Sequence, residues 1–543
     1  MTETLSRIIP QVILVLLVIA AWMYGRPRRR SWRGSKRLNE REVSRLEKEP
    51  VLEKSVTWGG LPLPKEAETS HFAVIGVTGS GKSLTINNFM REAFGGAKHG
   101  SDKRVLVYDP KSELASFLPK LDLEIPTVLL SPFDERGAEW NMSADVTGPI
   151  TSLQVAATFI PEERQGSNRY FSDTARGLLN AVMLAFIASG KQWFLSDVIY
   201  ATRSDERLEE VVCGTERGAE LWAKHSQSEK TLGDILSTLW SRLEPYEPIA
   251  ALWSQADAKV SIRDWIRGEM VLVLGNDDSA RAVVDPLNAL LFQRAAELAL
   301  REPNSKTRRT FFILDELGEA EKLAILPRVL NKGRSKGVSV CISFQDIDTL
   351  LEVYGERIAR AMLGQCSQKA FLRLASASTA EWASKTVGEF EYVDVLQGQS
   401  GGLARPQNRS FSEQWRKSEV VMPSELLSIP WTSAKRGLTG YYLTPFADGV
   451  FKRTLPLSHY LKGGLDSKTE IPGVVERQES CQYLGDWTAA DRERLGLGHE
   501  LSVSKQAETE ELEQGSVEER KRALSTGNDW DSLSHGATWR RTV

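Results

Sequence analysis

The sequence predicts an α/β fold interrupted by an all-α insertion and preceded by one membrane-spanning helix, and three observations carry that expectation. A short apolar strand over 71–77 runs into a glycine-rich loop and then a helical stretch. A second apolar strand, 311–314, ends in two carboxylates. The 233 residues separating Lys82 from Asp315 exceed what the strands and helices between two such elements need, so a further unit is inserted.

Residues 1–7 are expected on the non-cytoplasmic side, and 8–25 carry no charge. Eighteen such residues at about 1.5 Å rise span roughly 27 Å, close to the ~30 Å of a bilayer's hydrocarbon. Trp22 and Tyr24 fall where interfacial aromatics sit, and Arg26, Arg28, Arg29, Arg30, Arg33, Lys36 and Arg37 follow at once. Those charges resist transfer across lipid, so a single-pass helix with a cytoplasmic main body is expected, and they oppose reading 8–25 as a cleaved export signal. Residues 26–65 read as a basic juxtamembrane linker.

Gly76, Val77, Thr78, Gly79, Ser80, Gly81, Lys82 and Ser83 complete a G-x-x-x-x-G-K-[ST] phosphate loop between the first strand and a helix through Phe94. Glycine lets backbone N–H groups turn inward around phosphate oxygens, and the helix N-terminus adds its dipole. Lys82 is expected on the β and γ phosphates of ATP and Ser83 on Mg²⁺. A strand over 104–108 then ends in Asp109-Pro110. Asp109 either caps a helix with Pro110 at its first position or lends its carboxylate to the site.

Residues 141–258 lack alternating strands and carry helix-period runs, such as 173–188 and 231–243, which marks an all-α domain. Strand character returns at 270–275 and a helix follows through Leu300, so the nucleotide-binding domain comprises 66–140 and 259–465. At the end of the acidic strand, Asp315 is expected in the Mg²⁺ shell and Glu316 on the attacking water. The next strand, 338–344, ends at Gln345, either a γ-phosphate sensor or a loop residue that bonds its own backbone. Between them lies the basic turn 331–337. Its Arg334 is either an arginine donated to a neighbouring subunit's γ-phosphate or a solvated surface residue.

After a last expected strand at 368–374 comes a Gly-, Ser-, Gln- and Arg-rich loop, 398–417. In it Arg405, Arg409, Arg416 and Lys417 interleave with Phe411 and Trp415, a mixture suited to phosphate contact and base stacking but also found in exposed loops generally. Residues 466–543, acidic over 508–519, are expected to form a largely disordered tail.

Hydrophobic residues at 41% and charged residues at 26% exclude a wholly membrane-embedded or disordered chain. With a formal net charge of −3, any nucleic acid must be gripped by local basic surfaces. Cys213, Cys341, Cys366 and Cys481 are widely spaced, without a C-x-x-C pair or a histidine cluster, so neither a disulfide frame nor a zinc site is indicated. The short stretch 398–402 follows the acidic strand rather than preceding it, which argues against an ABC transporter.

Taken together, GVTGSGKS at 76–83, YDPKSE at 108–113, EWNMSAD at 139–145, the block 311–337, SFQD at 343–346 and VVMPSEL at 420–426 resemble the TraD/TrwB-like coupling proteins of type IV secretion, over roughly residues 70–460. The resemblance implies a RecA-like P-loop NTPase domain with an all-α insertion, assembled as a homo-hexameric ring at the bacterial cytoplasmic membrane. It further implies hydrolysis of Mg²⁺–ATP to pump single-stranded, or double-stranded, DNA and an attached relaxase into a conjugation channel. It supports Arg334 as the in-trans arginine. Family members commonly carry two membrane helices rather than one, and Ser112 stands where their acidic motif usually has glycine. Two other functions would use the same residues: another membrane DNA translocase of the FtsK/HerA kind, and an ATPase energising protein export.

Overall fold

The computed structural model describes residues 31–49, 54–111, 114, 116–163, 168–400, 408–461, 472–477 and 483–497. The expected membrane helix over 8–25 lies outside them, and among the described residues no helix is long and apolar enough to cross a membrane. In chain order the strands are β1 (Ser31–Gly34), β2 (Arg37–Leu38), β3 (Lys54–Trp58), β4 (Leu61–Pro64), β5 (Phe72–Ile75), β6 (Lys103–Asp109), β7 (Thr127–Leu130), β8 (Glu139–Trp140) and β9 (Lys259–Val260). They continue with β10 (Val271–Gly275), β11 (Arg309–Leu314), β12 (Val338–Phe344), β13 (Gln368–Phe371), β14 (Glu389–Ser400), β15 (Asn408–Glu419), β16 (Leu438–Thr444) and β17 (Gly449–Leu455).

Ten of these form one sheet in the order β2-β17-β16-β13-β5-β12-β11-β6-β10-β7. From β13 to β7 every neighbouring pair is parallel. Parallel strands are covered on both faces, and for that reason 72–75, 271–275 and 311–314 read as unbroken apolar runs. Their pleat sends alternate side chains to two separate cores. Phe311 packs with Phe89 and Phe94 of the helix Lys82–Phe94. Phe312 faces the other way, onto Trp265 and Phe292, the latter on the helix Arg281–Arg301. Buried His71 ties a third element to the sheet: its Nε2–H donates to the Leu330 carbonyl at 3.0 Å and its Nδ1 accepts from Val340 N–H at 3.1 Å. Burial first of all, with Arg334 adding to it against the Leu330 hydrogen bond, lowers its pKa to about 4, so it stays neutral.

The all-α domain leaves this sheet through β8 and returns through β9, which pair in parallel at Glu139↔Lys259 and Trp140↔Val260. Its centre is the helix Arg169–Ser189, against which Pro149–Phe159, Asp205–Val212, Glu216–His225 and Glu229–Leu243 pack. Asp145 secures the neck. It accepts from Trp140 Nε1 at 2.8 Å, Ile262 N at 2.8 Å and Arg263 N at 3.0 Å.

Four expectations are corrected. Residues 26–65 are not simply a linker, because β2 extends the main sheet beside β17, and β3 and β4 form a hairpin that seats Trp58 against Phe72 and Tyr442. The segment 398–417 is largely strand: β14 and β15 pair over twelve positions, with β1 along the other edge of β14. Strand 368–374 is not the last before residue 398, since β14 begins at Glu389, and β16 and β17 complete the main sheet further on. Part of the expected disordered tail is ordered as well. The helix Ala489–Leu495 docks on the all-α domain, where Arg494 makes two 2.8 Å bonds to Asp197 and Trp487 lies 4.6 Å from the Tyr200 ring.

Candidate nucleotide site

Strand order decides what meets at the phosphate loop. β5 delivers residues 76–83, and its neighbour on one side is β12, with β11 one strand further away. The carboxylates at the end of β11 therefore stand one strand from the loop, and whatever ends β12 lies between the two. That position holds Ser343 and Gln345.

The loop needs its glycines. Gly79 has φ +75° and Gly81 φ +102°, conformations that side chains with a Cβ disfavour. A Cβ on Gly81 would stand 2.3 Å from Leu438 Cδ1, and one on Gly76 would stand 2.5 Å from Ser80 Oγ and 2.9 Å from Leu372 Cβ. The helix Lys82–Phe94 begins directly after Gly81, which puts Lys82 and Ser83 in its first turn. Ser80 Oγ is buried and has no hydrogen-bond partner among the described residues.

Lys82 and Glu316 are both buried, and Lys82 Nζ lies 2.7 Å from Glu316 Oε1. Gln345 Nε2 donates to the same Oε1 at 3.1 Å, while its Oε1 accepts from Thr78 Oγ1 at 3.2 Å. Gln345 thus bridges the phosphate loop and the acidic strand through its own two ends. Ser343 Oγ donates to Asp315 Oδ1 and accepts from Glu316 N–H at 3.1 Å. Glu316 itself adopts φ +46°, a left-handed conformation costly for a non-glycine residue and held here by these bonds. Burial raises the Asp315 pKa and the neighbouring Glu316 charge adds to it, against the Ser343 hydrogen bond and Lys82. Lys111 Nζ completes the cluster at 3.7 Å from Glu316 and 3.4 Å from Glu319.

Hard oxygen donors and a raised, buried carboxyl suit a small divalent cation. Asp315 and Ser83 could hold Mg²⁺, and the loop's backbone N–H groups could hold the phosphates. Asp109 is the buried last residue of β6, beside β11, at the carboxyl edge of the sheet, and residues 110 and 111 form a turn rather than a helix start. Ser112 lies outside the described residues.

Two groups of expected residues stand elsewhere. Arg334 is exposed at the opposite edge of the sheet, before β12 begins, where it lines a cleft of about 1500 Å³ with Glu49, Lys65 and Lys336. β12 is seven residues long, about 23 Å at ~3.3 Å per residue, so Arg334 cannot touch its own chain's loop. Trp415, Arg416 and Lys417 lie on β15, in the separate three-stranded sheet. Trp415 is 58% exposed; Arg416 pairs with Asp394 at 3.3 Å and Lys417 with Glu391 at 3.7 Å. Arg405 lies outside the described residues, as do the side chains of Arg409 and Phe411. Sequence reasoning gave no role to Ser343 or Lys111; only the polar end of β12 hinted at the first.

A family model described as the type IV secretion-system coupling protein DNA-binding domain matches residues 55–444. The chain belongs to the type IV secretion-system coupling proteins. Among curated relatives, this coupling protein is 24% identical over 461 residues to the coupling protein TraD of Escherichia coli (strain K12), covering 81% of the chain but 61% of TraD. It is 30% identical over 122 residues to the conjugal transfer protein TraG of Rhizobium radiobacter, covering 22% of the chain and 19% of TraG. Among solved structures, the unbound bacterial conjugative coupling protein TrwB lacking its N-terminal segment matches with TM-score 0.62 at 22% identity, over 83% of this chain and 97% of that one. TrwB in complex with ADP and Mg²⁺ matches with TM-score 0.60 at 22% identity, over 83% and 98%. The coupling protein therefore has the RecA-like α/β fold of TrwB.

Proposed function

We propose that this coupling protein is a membrane-anchored ATPase that pumps relaxase-bound single-stranded DNA into a type IV secretion channel. The observation that carries the catalytic part is Glu316, whose carboxylate is held by Lys82 and Gln345 at the mouth of the phosphate loop, next to Asp315. In this reading Ser83 and Asp315 would hold Mg²⁺, which would supply positive charge to the phosphates of ATP. Lys82 turns from Glu316 to those phosphates and so frees the carboxylate to orient the attacking water. Gln345, bonded to Glu316 on one side and to Thr78 on the other, reports the state of the γ-phosphate to both. The complexes of TrwB with ADP and Mg²⁺ and with ATP and GTP analogues support nucleotide as the ligand.

The remaining parts rest on the family and on charge. The family model's description supports DNA as the partner, and the exposed Trp415 beside Arg416 and Lys417 offers stacking and phosphate contact on one strand. Arg334 cannot reach its own loop and would act on a neighbour's, which requires a ring; a homo-hexamer meets that requirement. The basic run after the apolar 8–25 supports anchoring at the bacterial cytoplasmic membrane.

The test is ATP hydrolysis by the detergent-extracted full chain, with and without single-stranded DNA over a range of salt. Stimulation by DNA that falls as salt rises is expected. Lys82→Ala should lose binding and turnover; Glu316→Gln should bind ATP yet turn over at least about a hundredfold more slowly. An active Glu316→Gln enzyme would remove the catalytic assignment. Absence of any DNA response at every salt concentration would favour an energiser of protein export.

A further inference from the structure

We infer that Trp431 is the stacking platform for the nucleotide's purine base; this rests on the nucleotide reading above. The triphosphate's reactive end belongs on the side of the loop that faces β12 and β11, where Lys82, Gln345 and Glu316 meet. The nucleoside leaves the triphosphate at its other end, so the base comes to lie on the side of β13 and β16. Trp431 stands there. Its Cζ3 and Cε3 atoms lie 3.8 and 3.9 Å from where a Cβ on Gly79 would be, so the ring edge borders the loop within ordinary van der Waals reach.

The ring is held in place from both flanks. Arg373, two residues past β13, sets its guanidinium 4.5 Å from the ring centroid, and its Nη1 donates to the Ile429 carbonyl at 2.6 Å. Arg373 also binds the loop, its carbonyl accepting from Val77 N–H at 3.0 Å. On the other flank Thr432 Oγ1 donates to the Ser80 carbonyl at 2.7 Å. Single exposed apolar side chains are ordinary on a protein surface. This one differs because both of its anchors also bind the phosphate loop, while 49% of the residue stays open. A cationic group against an indole and an open aromatic surface beside a phosphate cradle together suit a purine. Stacking reads a base's π-face rather than its edge, so the platform accepts adenine and guanine alike.

The experiment compares wild type, Trp431→Phe and Trp431→Leu for KM and kcat with Mg²⁺–ATP and Mg²⁺–GTP, and for the inhibition constant of inorganic triphosphate, which has no base. Trp431→Leu should raise KM about tenfold for both nucleotides, the loss of one base–aromatic stack. Its kcat and triphosphate inhibition should stay at wild-type values, and Trp431→Phe should restore most of the affinity. An unchanged KM in Trp431→Leu would overturn the inference, and so would an equal loss for inorganic triphosphate, which would mean that the loop and not a base subsite had been disturbed. Failure of the parent reading is distinguishable: in that case wild type itself would not hydrolyse either nucleotide.

Discussion

The Glu139→Gln substitution tests the electrostatics of the neck between the two domains. Glu139 is buried on β8 and pairs with Lys259 Nζ, 3.2 Å from Oε2 and itself 39% exposed. Burial dominates and raises the Glu139 pKa to about 7 from an ordinary 4.5, with Lys259 and Arg494 pulling it down and Asp197 pushing it up. Between those two values the folded protein keeps a proton that the unfolded chain has released, so the unfolding free energy falls as pH rises through the window. The whole effect is about 3 kcal/mol, from a difference between about 7 and 4.5 at ~1.4 kcal/mol per pH unit. Below pH 4.5 it vanishes, because both states are protonated; above pH 7 it is complete. Glutamine removes the titration. The stability of the variant relative to wild type should therefore climb by about 2.5 kcal/mol from pH 5 to pH 8 and then level off. Thermal melts of the full chain at pH 5, 6, 7 and 8, followed through the transition of the all-α domain, measure it. A variant that differs from wild type by the same amount at every pH would refute the reasoning, since the carboxylate would then be ionised throughout and held by Lys259.

Two further predictions address the loop and the ring. Gly81→Ala forces a left-handed residue, worth about 1–2 kcal/mol, and drives a methyl to within 2.3 Å of Leu438 Cδ1; ATP affinity measured by equilibrium dialysis should fall by at least about tenfold. Adding Leu438→Ala should recover only the steric part, and wild-type affinity in Gly81→Ala would show that the loop tolerates a Cβ. For Arg334, subunits carrying Arg334→Ala and subunits carrying Glu316→Gln should each be inactive alone, an in-trans arginine being worth roughly 10³–10⁵ in rate. Mixed together they should regain part of the wild-type ATPase rate, and mixing without recovery would end the in-trans role.

What could be read from the sequence was local in the chain. The phosphate loop announces itself because eight consecutive residues do one job, and Asp315 and Glu316 because an apolar run stops at them. The neck of the all-α domain, at β8 and β9, flanks the 141–258 stretch in which helical periodicity is visible. Residues brought to the loop by sheet order were invisible. Arg373, Trp431 and Thr432 are some 300 to 350 residues from Gly79 in sequence and meet it only because β13 and β16 continue the sheet on that side. The hairpin of β14 and β15 was misread as a loop because β15 shows no apolar-polar alternation; residues 412–417 are all exposed, so no core-facing stripe exists to find. β2 was missed for another reason. Two residues beside an arginine-rich run give no periodicity, yet Leu38 is buried and Arg37 binds Glu425 and Tyr441.

The charge balance of the site explains why nucleotide and metal belong to it together. Asp315 and Glu316 are adjacent, buried carboxyls, and one buried ammonium, Lys82, stands between them and the loop. Lys111 is the next cation, 3.7 Å from Glu316 and partly exposed, so it stabilises the pair less than a buried charge would. Burial raises the Asp315 pKa and the Glu316 charge adds to it, while the Ser343 hydrogen bond and Lys82 pull it down. If Lys82 alone moved to a phosphate, both carboxyls would lose their closest counter-charge and stay buried side by side without it. Asp315 could hold a divalent cation, which would supply the missing positive charge while Lys82 moves. Charge balance therefore favours a metal that binds together with the nucleotide that draws Lys82 away.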